Sequence, residues 1–116
     1  MAKETVKNPF DIFAESGTRH IEVKALNNAK VEIKTSLTVE QEQNIKATCF
    51  RNQETVGGRI VPNESDLSVS KTLAVSYLLV EPKMSLAELG KLNGATEAIV
   101  EIYDSYQKYK ADKKGN

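Results

Sequence analysis

The sequence predicts an α+β fold: an N-terminal β-hairpin packed on a small bundle of three to four helices. Three observations lead there. Two short runs near the N-terminus alternate apolar and charged residues with period two, which places the apolar set on one face of a strand pair. Two Ser/Thr-x-x-Glu/Gln patterns mark helix starts, where cap and third helical residue satisfy each other's backbone N–H groups. The C-terminal segment repeats apolar residues by fours and threes, as one face of a helix does. At 116 residues, 40% hydrophobic and 28% charged, the chain has the size and composition of one globular domain. We divide it into a flexible arm (1–19), a single α+β domain (20–112) and a frayed tail (113–116).

In the arm, Phe10, Ile12 and Phe13 form a small apolar knot after Pro9, and Ser16-Gly17 punctuates its end. The knot either packs on its own domain or serves as a detachable docking segment. The first strand takes Ile21, Val23 and Ala25 against Glu22 and Lys24; the second takes Val31 and Ile33 against Glu32 and Lys34. Asn27-Asn28 lies between them, and asparagine tolerates the left-handed backbone of a tight turn. Strands over 20–26 and 29–35 follow. An isolated hairpin is marginal in water, so its Ile/Val face needs helices to cover it.

Thr38 and Gln41 make the first capping box and open a helix over 39–52, with Glu40 and Glu42 well placed near its positive end. Leu37, Ile45, Cys49 and Phe50 give it a sparse apolar stripe. Residues 53–65, with Gly57-Gly58 and Pro62, read as a long irregular loop, and the Gly pair lacks the Lys-Ser/Thr of a phosphate loop. Residues 66–80 are ambiguous: Leu67, Val69, Leu73, Val75, Tyr77 and Leu79 largely alternate, yet Val69, Leu73, Tyr77 and Val80 step by helical intervals. Fifteen residues is long for a strand, so we expect a helix, capped by Asp66 or Ser65 and stopped by Pro82. Ser85 and Glu88 box the start of a short helix bearing Leu86, Leu89 and Leu92, which Asn93-Gly94 ends. The last helix covers 95–114, with Ala95, Ile99, Ile102, Tyr106 and Tyr109 on its seam, and ADKKGN is expected to fray.

The chemistry of catalysis is sparse. His20 is the single histidine, so no His pair can hold a metal, and no Gly-x-Ser-x-Gly elbow accompanies it. It reads best as an exposed strand residue. Carboxylates sit at helix starts or on alternating polar faces, where solvation accounts for them. Cys49 has no partner for an internal disulfide and reads as a core residue. No enzyme activity, metal or cofactor is expected. Sixteen basic and sixteen acidic residues cancel, which argues against nucleic acid and anionic membranes as partners. Lys108, Lys110, Lys113 and Lys114 suit the negative end of the last helix. No signal peptide or membrane-length apolar run is visible, which points to the cytoplasm. Tyr77, Tyr103, Tyr106 and Tyr109 suit either core packing or a wet protein interface, and three of them share one helix.

VEIKTSLTVEQEQNI (31–45) resembles the opening of tail assembly chaperones of long-tailed bacteriophages, a strand followed by a Leu-Thr pair and a helix. YLLVEPKMSLAELGKLNGATEAIVEIYDSY (77–106) is similar to the same family's apolar segment ending at Glu-Pro, capped short helix and terminal helix. The Gly-Gly loop and the phenylalanine-bearing arm have no counterpart in that pattern. The resemblance implies a non-enzymatic protein of the host bacterial cytoplasm that binds the tape-measure protein and the tail-tube protein during virion tail assembly. It also implies a homo-oligomer. The alternative is a small structural tail or connector protein of the virion. Helix packing is the expected mode of contact, through Ile99, Ile102, Tyr103, Tyr106 and Tyr109 of the last helix and Phe10 and Phe13 of the arm.

Overall fold

The alternating runs pair as expected. Strand β1 (Thr18–Val23) lies antiparallel to strand β2 (Ala29–Lys34), with Ile21 opposite Val31 and His20 opposite Glu32. The chain is described by a computed structural model over residues 8–14 and 16–114, apart from the side chains of Phe13 and of residues 112–114. Ile21, Val23, Val31 and Ile33 are buried, while His20 and Glu22 face solvent.

The connection differs from the expected two-residue turn. Strand β1 stops at Val23, and Lys24–Leu26 form a 3-10 turn before Asn27 (φ 58°) and Asn28 (φ 63°). The reason is distant in sequence. The Glu101 carboxylate accepts the N–H groups of Lys24 (2.7 Å) and Ala25 (3.1 Å), so these residues need no strand partner. Those bonds hold the Glu101 carboxyl below the usual glutamate range, the Lys24 N–H contributing most and the Ala25 N–H next.

Helix α1 (Val39–Cys49) begins in the expected capping box: Gln41 N–H donates to Thr38 Oγ1 and Thr38 N–H to Gln41 Oε1, each at 3.0 Å. It ends three residues before the expected 52. The stretch expected as a loop instead contains a second hairpin, β3 (Glu54–Val56) and β4 (Arg59–Val61). Gly57 (φ 60°) and Gly58 (φ 79°) supply the two positive φ values that a two-residue hairpin turn needs. Val56 and Ile60 of this hairpin stay exposed.

Helix α2 (Glu64–Leu78) resolves the ambiguous segment as helix. Its cap is neither Asp66 nor Ser65 but Asn63, whose side chain accepts the N–H groups of both. The buried face is also offset from the expected one: Asp66, Ser70, Ala74 and Leu78 are buried, and Val69 is exposed. The helix does not run to Pro82. Leu79–Glu81 form strand β5, antiparallel to β2, giving a three-stranded sheet in the order β1-β2-β5. The residue before a proline is biased to extended backbone, which Glu81 obeys, and Leu79 pairs with Ile33 on the buried face.

Helix α3 (Leu86–Gly90) starts in the second expected capping box, Ser85 with Glu88. Helix α4 (Thr96–Lys114) extends into the stretch expected to fray, through Lys113 and Lys114. Helices α2 and α4 cover one face of the sheet. Ile33, Val23, Val75 and Leu78 are the largest fully buried side chains, and Ala98, Ile99, Ile102 and Tyr106 of α4 join them. Burial of one such Ile, Leu or Val contributes about 1.5–3 kcal/mol. Among the described residues no helix is long and apolar enough to cross a membrane.

Candidate protein-docking groove

Small residues on α2 create an open channel. Helix α1 packs on one side of α2 and α4 on the other. Helices α1 and α2 run antiparallel: Asn44 Nδ2 donates to Tyr77 Oη (3.2 Å) near one end, and Asp66 binds Asn52 at the other. Asp66 is buried and accepts both the Asn52 backbone N–H and, at 3.1 Å, its side-chain Nδ2. Between α1 and α4 the floor is Leu67, Ser70 and Ala74, and the small side chains of Ser70 and Ala74 leave the gap open. Ile45, Cys49 and Phe50 form one wall, Tyr103, Tyr106 and Gln107 the other, and Leu37 closes an end.

The resulting groove has a volume of about 310 Å³. At 1.5 Å rise per residue, the stretch that lines it from Glu42 to Phe50 gives that wall a length of roughly 12 Å, about two helical turns. The apolar stripe expected on α1 is this wall. Leu37, Ile45, Cys49 and Phe50 are all half-buried, because the surface they line is open on one side. Cys49 is therefore a groove residue rather than the core residue expected.

The rim is charged. Lys46, Lys71 and Lys110 stand there with a single acid, Glu42. Lys110 Nζ lies 3.8 Å from Glu42 Oε2, an exposed pair that adds little stability. Lys110 also sits 5.3 Å from the centre of the Tyr106 ring, and Lys71 sits 5.8 Å from that of Tyr103. Gln107 Nε2 donates to Tyr103 Oη at 2.6 Å and fixes that ring. Burial pushes the Tyr106 hydroxyl pKa up, the Glu42 charge and then Tyr103 add to the shift, and a hydrogen bond with the Leu37 backbone opposes it. The phenol is neutral at pH 7.

The residues expected to contact a partner divide. Tyr103 and Tyr106 line the groove, though Tyr106 is buried and presents little surface. Ile99 and Ile102 are a correction: both are core residues, turned to an apolar hollow of about 80 Å³ under Leu26, Leu89 and Leu92. The seam of α4 covers the sheet, which needs the large apolar side chains first. Tyr109 is half-buried, with the Arg19 guanidinium 4.8 Å from its ring centre. Phe10 is exposed on a 3-10 turn, Pro9–Phe13, and lies outside the groove. Phe13 belongs to that turn, but its side chain falls outside the described residues. His20 is exposed on β1.

The chain matches no protein-family model, no curated protein and no solved structure. Sequence reasoning missed the groove's floor and its lysines. Ser70-x-x-x-Ala74 is a small-residue spacing on one helix face, the sort that leaves room beside a helix, and it was the available signal.

Proposed function

We propose that this protein is a non-enzymatic assembly chaperone that holds amphipathic helical segments of client proteins in the groove between α1, α2 and α4. The groove is the observation that carries the reading. It has a floor of Leu67, Ser70 and Ala74 about two turns long, aromatic and aliphatic walls, and a lysine-bearing rim, which is the form of a helix-in-groove site. The resemblance of residues 31–45 and 77–106 to tail assembly chaperones supplies the client class. The clients are then the tape-measure protein, long and helical, and the tail-tube protein, met in the host bacterial cytoplasm.

The energetics suit transient holding. Three apolar anchors at about 1.5–3 kcal/mol each supply roughly 5–9 kcal/mol before the cost of association and ordering is subtracted, so a single contact is weak. A weak single site becomes effective when many copies line one long client, and it releases when tail subunits replace it.

The test uses a purified tape-measure segment that scatters light as it aggregates. The wild-type chain is expected to suppress the scattering at a few-fold molar excess. The double variant Leu67→Glu/Tyr103→Glu, altered at two partly exposed groove positions, is expected to lose that protection while keeping its fold. Equal protection by both proteins, or none by the wild type, overturns the reading.

A further inference from the structure

We propose that the groove selects its clients by charge: it takes amphipathic helices whose apolar stripe is bordered by acidic residues, and Glu42 sets how strongly it prefers them. This rests on the groove being a helix-docking site, and it names which helices that site accepts.

Three observations carry the selection. First, the positive charge is local. The whole chain balances sixteen basic against sixteen acidic residues, yet the charged side chains lining the groove are Lys46, Lys71 and Lys110 against Glu42 alone. Second, the lysines border both walls. Lys46 is exposed on the α1 wall, while Lys110 and Lys71 flank the α4 wall, with their ammonium groups 5.3 and 5.8 Å from the centres of the Tyr106 and Tyr103 rings. Contact with a ring limits where each ammonium can swing, so both are placed before a client arrives. The two tyrosines are three residues apart, about one turn of α4. A client helix lying between the walls meets cations along both borders of its apolar stripe. Acids at i and i+3 or i+4 on one border match the two lysines beside α4.

Third, the three cations are not equally free. Lys46 and Lys71 make no ion pair among the described residues, whereas Lys110 Nζ lies 3.8 Å from Glu42 Oε2. The side chains of that pair are 39% and 49% exposed, so the pair is weak and a client carboxylate can take the place of Glu42. Doing so brings the client's acid close to Glu42, and like charges repel. That opposition falls only on acidic clients, because a neutral border brings no charge to Lys110. A basic border meets three cations and is turned away. The walls decide against a nucleic acid as occupant. Ile45 and Phe50 offer aliphatic and aromatic surface that phosphates cannot use, on a chain without net positive charge.

The test is fluorescence anisotropy of the full-length protein with three synthetic helical peptides that share one leucine stripe, bordered by Glu, Gln or Lys. At low salt the Glu-bordered peptide is expected to bind about fivefold tighter than the Gln-bordered one, and the Lys-bordered peptide about fivefold weaker. Both gaps are expected to close by about 1 M salt, where screening acts within ~3 Å. Lys46→Glu/Lys71→Glu is expected to reverse the order of the Glu- and Lys-bordered peptides. Glu42→Gln, at an exposed position, is expected to tighten the Glu-bordered peptide about two- to threefold and to leave the Gln-bordered one unchanged. Thermal melting checks that each variant folds, and Glu42→Gln alone decides if the double variant does not. Equal affinities for the Glu- and Gln-bordered peptides, a preference undiminished by salt, or one that Glu42→Gln leaves unchanged overturns the proposal. Cys49, which lines the groove, separates this outcome from failure of the reading beneath it. If the Gln-bordered peptide shields the Cys49 thiol while border charge makes no difference, the groove reading stands and the selection falls. If no peptide shields Cys49, both fall.

Discussion

Removing the Asp66 carboxylate tests what holds the groove in shape. Asp66 joins the N-terminus of α2 to the chain just beyond α1 through two hydrogen bonds to Asn52. Hydrogen bonds to a charged group contribute about 1.5–3 kcal/mol each, although Asn52 is exposed and water can partly replace its lost partner. An acid in the first turn of a helix adds roughly 0.3–1 kcal/mol. With the two bonds discounted for rehydration, Asp66→Ala is expected to cost about 3 kcal/mol, a large share of the 5–15 kcal/mol typical of a domain. Asp66→Asn retains an acceptor for the backbone N–H and is expected to cost about half as much. Urea unfolding followed by far-ultraviolet circular dichroism at pH 7 measures both. A double-mutant cycle with Asn52→Ala, which keeps the backbone N–H, isolates the Asn52 Nδ2 bond alone, with an expected coupling of about 1 kcal/mol. A loss below ~0.5 kcal/mol for Asp66→Ala, or equal losses for Ala and Asn, would refute the reasoning.

Other outcomes follow from the same structure. Ile33 is 0% exposed between the sheet and its helices, and Ile33→Ala is expected to cost about 3–4 kcal/mol by urea unfolding. The lowered pKa of Glu101 means that its hydrogen bonds stabilise the fold above the ordinary glutamate value of 4.5 and cease to do so as pH falls through the folded-state value. The melting-temperature gap between wild type and Glu101→Gln is therefore expected to narrow below pH 4.5, and a gap constant from pH 7 to pH 3 contradicts the assignment. At Gly57, a Cβ would meet nothing within 4 Å, so Gly57→Ala acts only through its positive φ of 60°. It is expected to destabilise the β3–β4 hairpin by about 1 kcal/mol, read by amide exchange, with Gly57→Asn milder because asparagine tolerates that backbone.

Local rules were legible in the sequence, and long-range ones were not. Thr38–Gln41 and Ser85–Glu88 identified two helix starts to the residue because a cap depends on four consecutive positions. Alternation gave the β1–β2 pairing for the same reason. The end of β1 was misjudged because Glu101, far along the chain, takes the N–H groups of Lys24 and Ala25. The β3–β4 hairpin was missed because its strands have three residues each, too few for a period to show. In α2 the apolar residues suggested the wrong inward face. Ser70 and Ala74 turn inward, and their small size opens the groove. The α4 seam was recognised as apolar, but apolarity does not distinguish a core face from a docking face. Ile99 and Ile102 went to the core because the sheet lies beneath them. The α1 stripe of Ile45, Cys49 and Phe50, noted in the sequence as sparse, turned out to be the groove wall.

Cys49 thiol reactivity tests most directly whether the groove binds a helix. The ligand is a synthetic amphipathic helical peptide with leucines on one face and two glutamates beside them, its binding followed by fluorescence anisotropy. At saturating peptide the reaction of Cys49 with a disulfide reagent is expected to slow at least fivefold, because the thiol lies in the wall the helix would cover. Saturable binding that leaves the Cys49 rate unchanged would place the helix elsewhere on the surface and contradict the account.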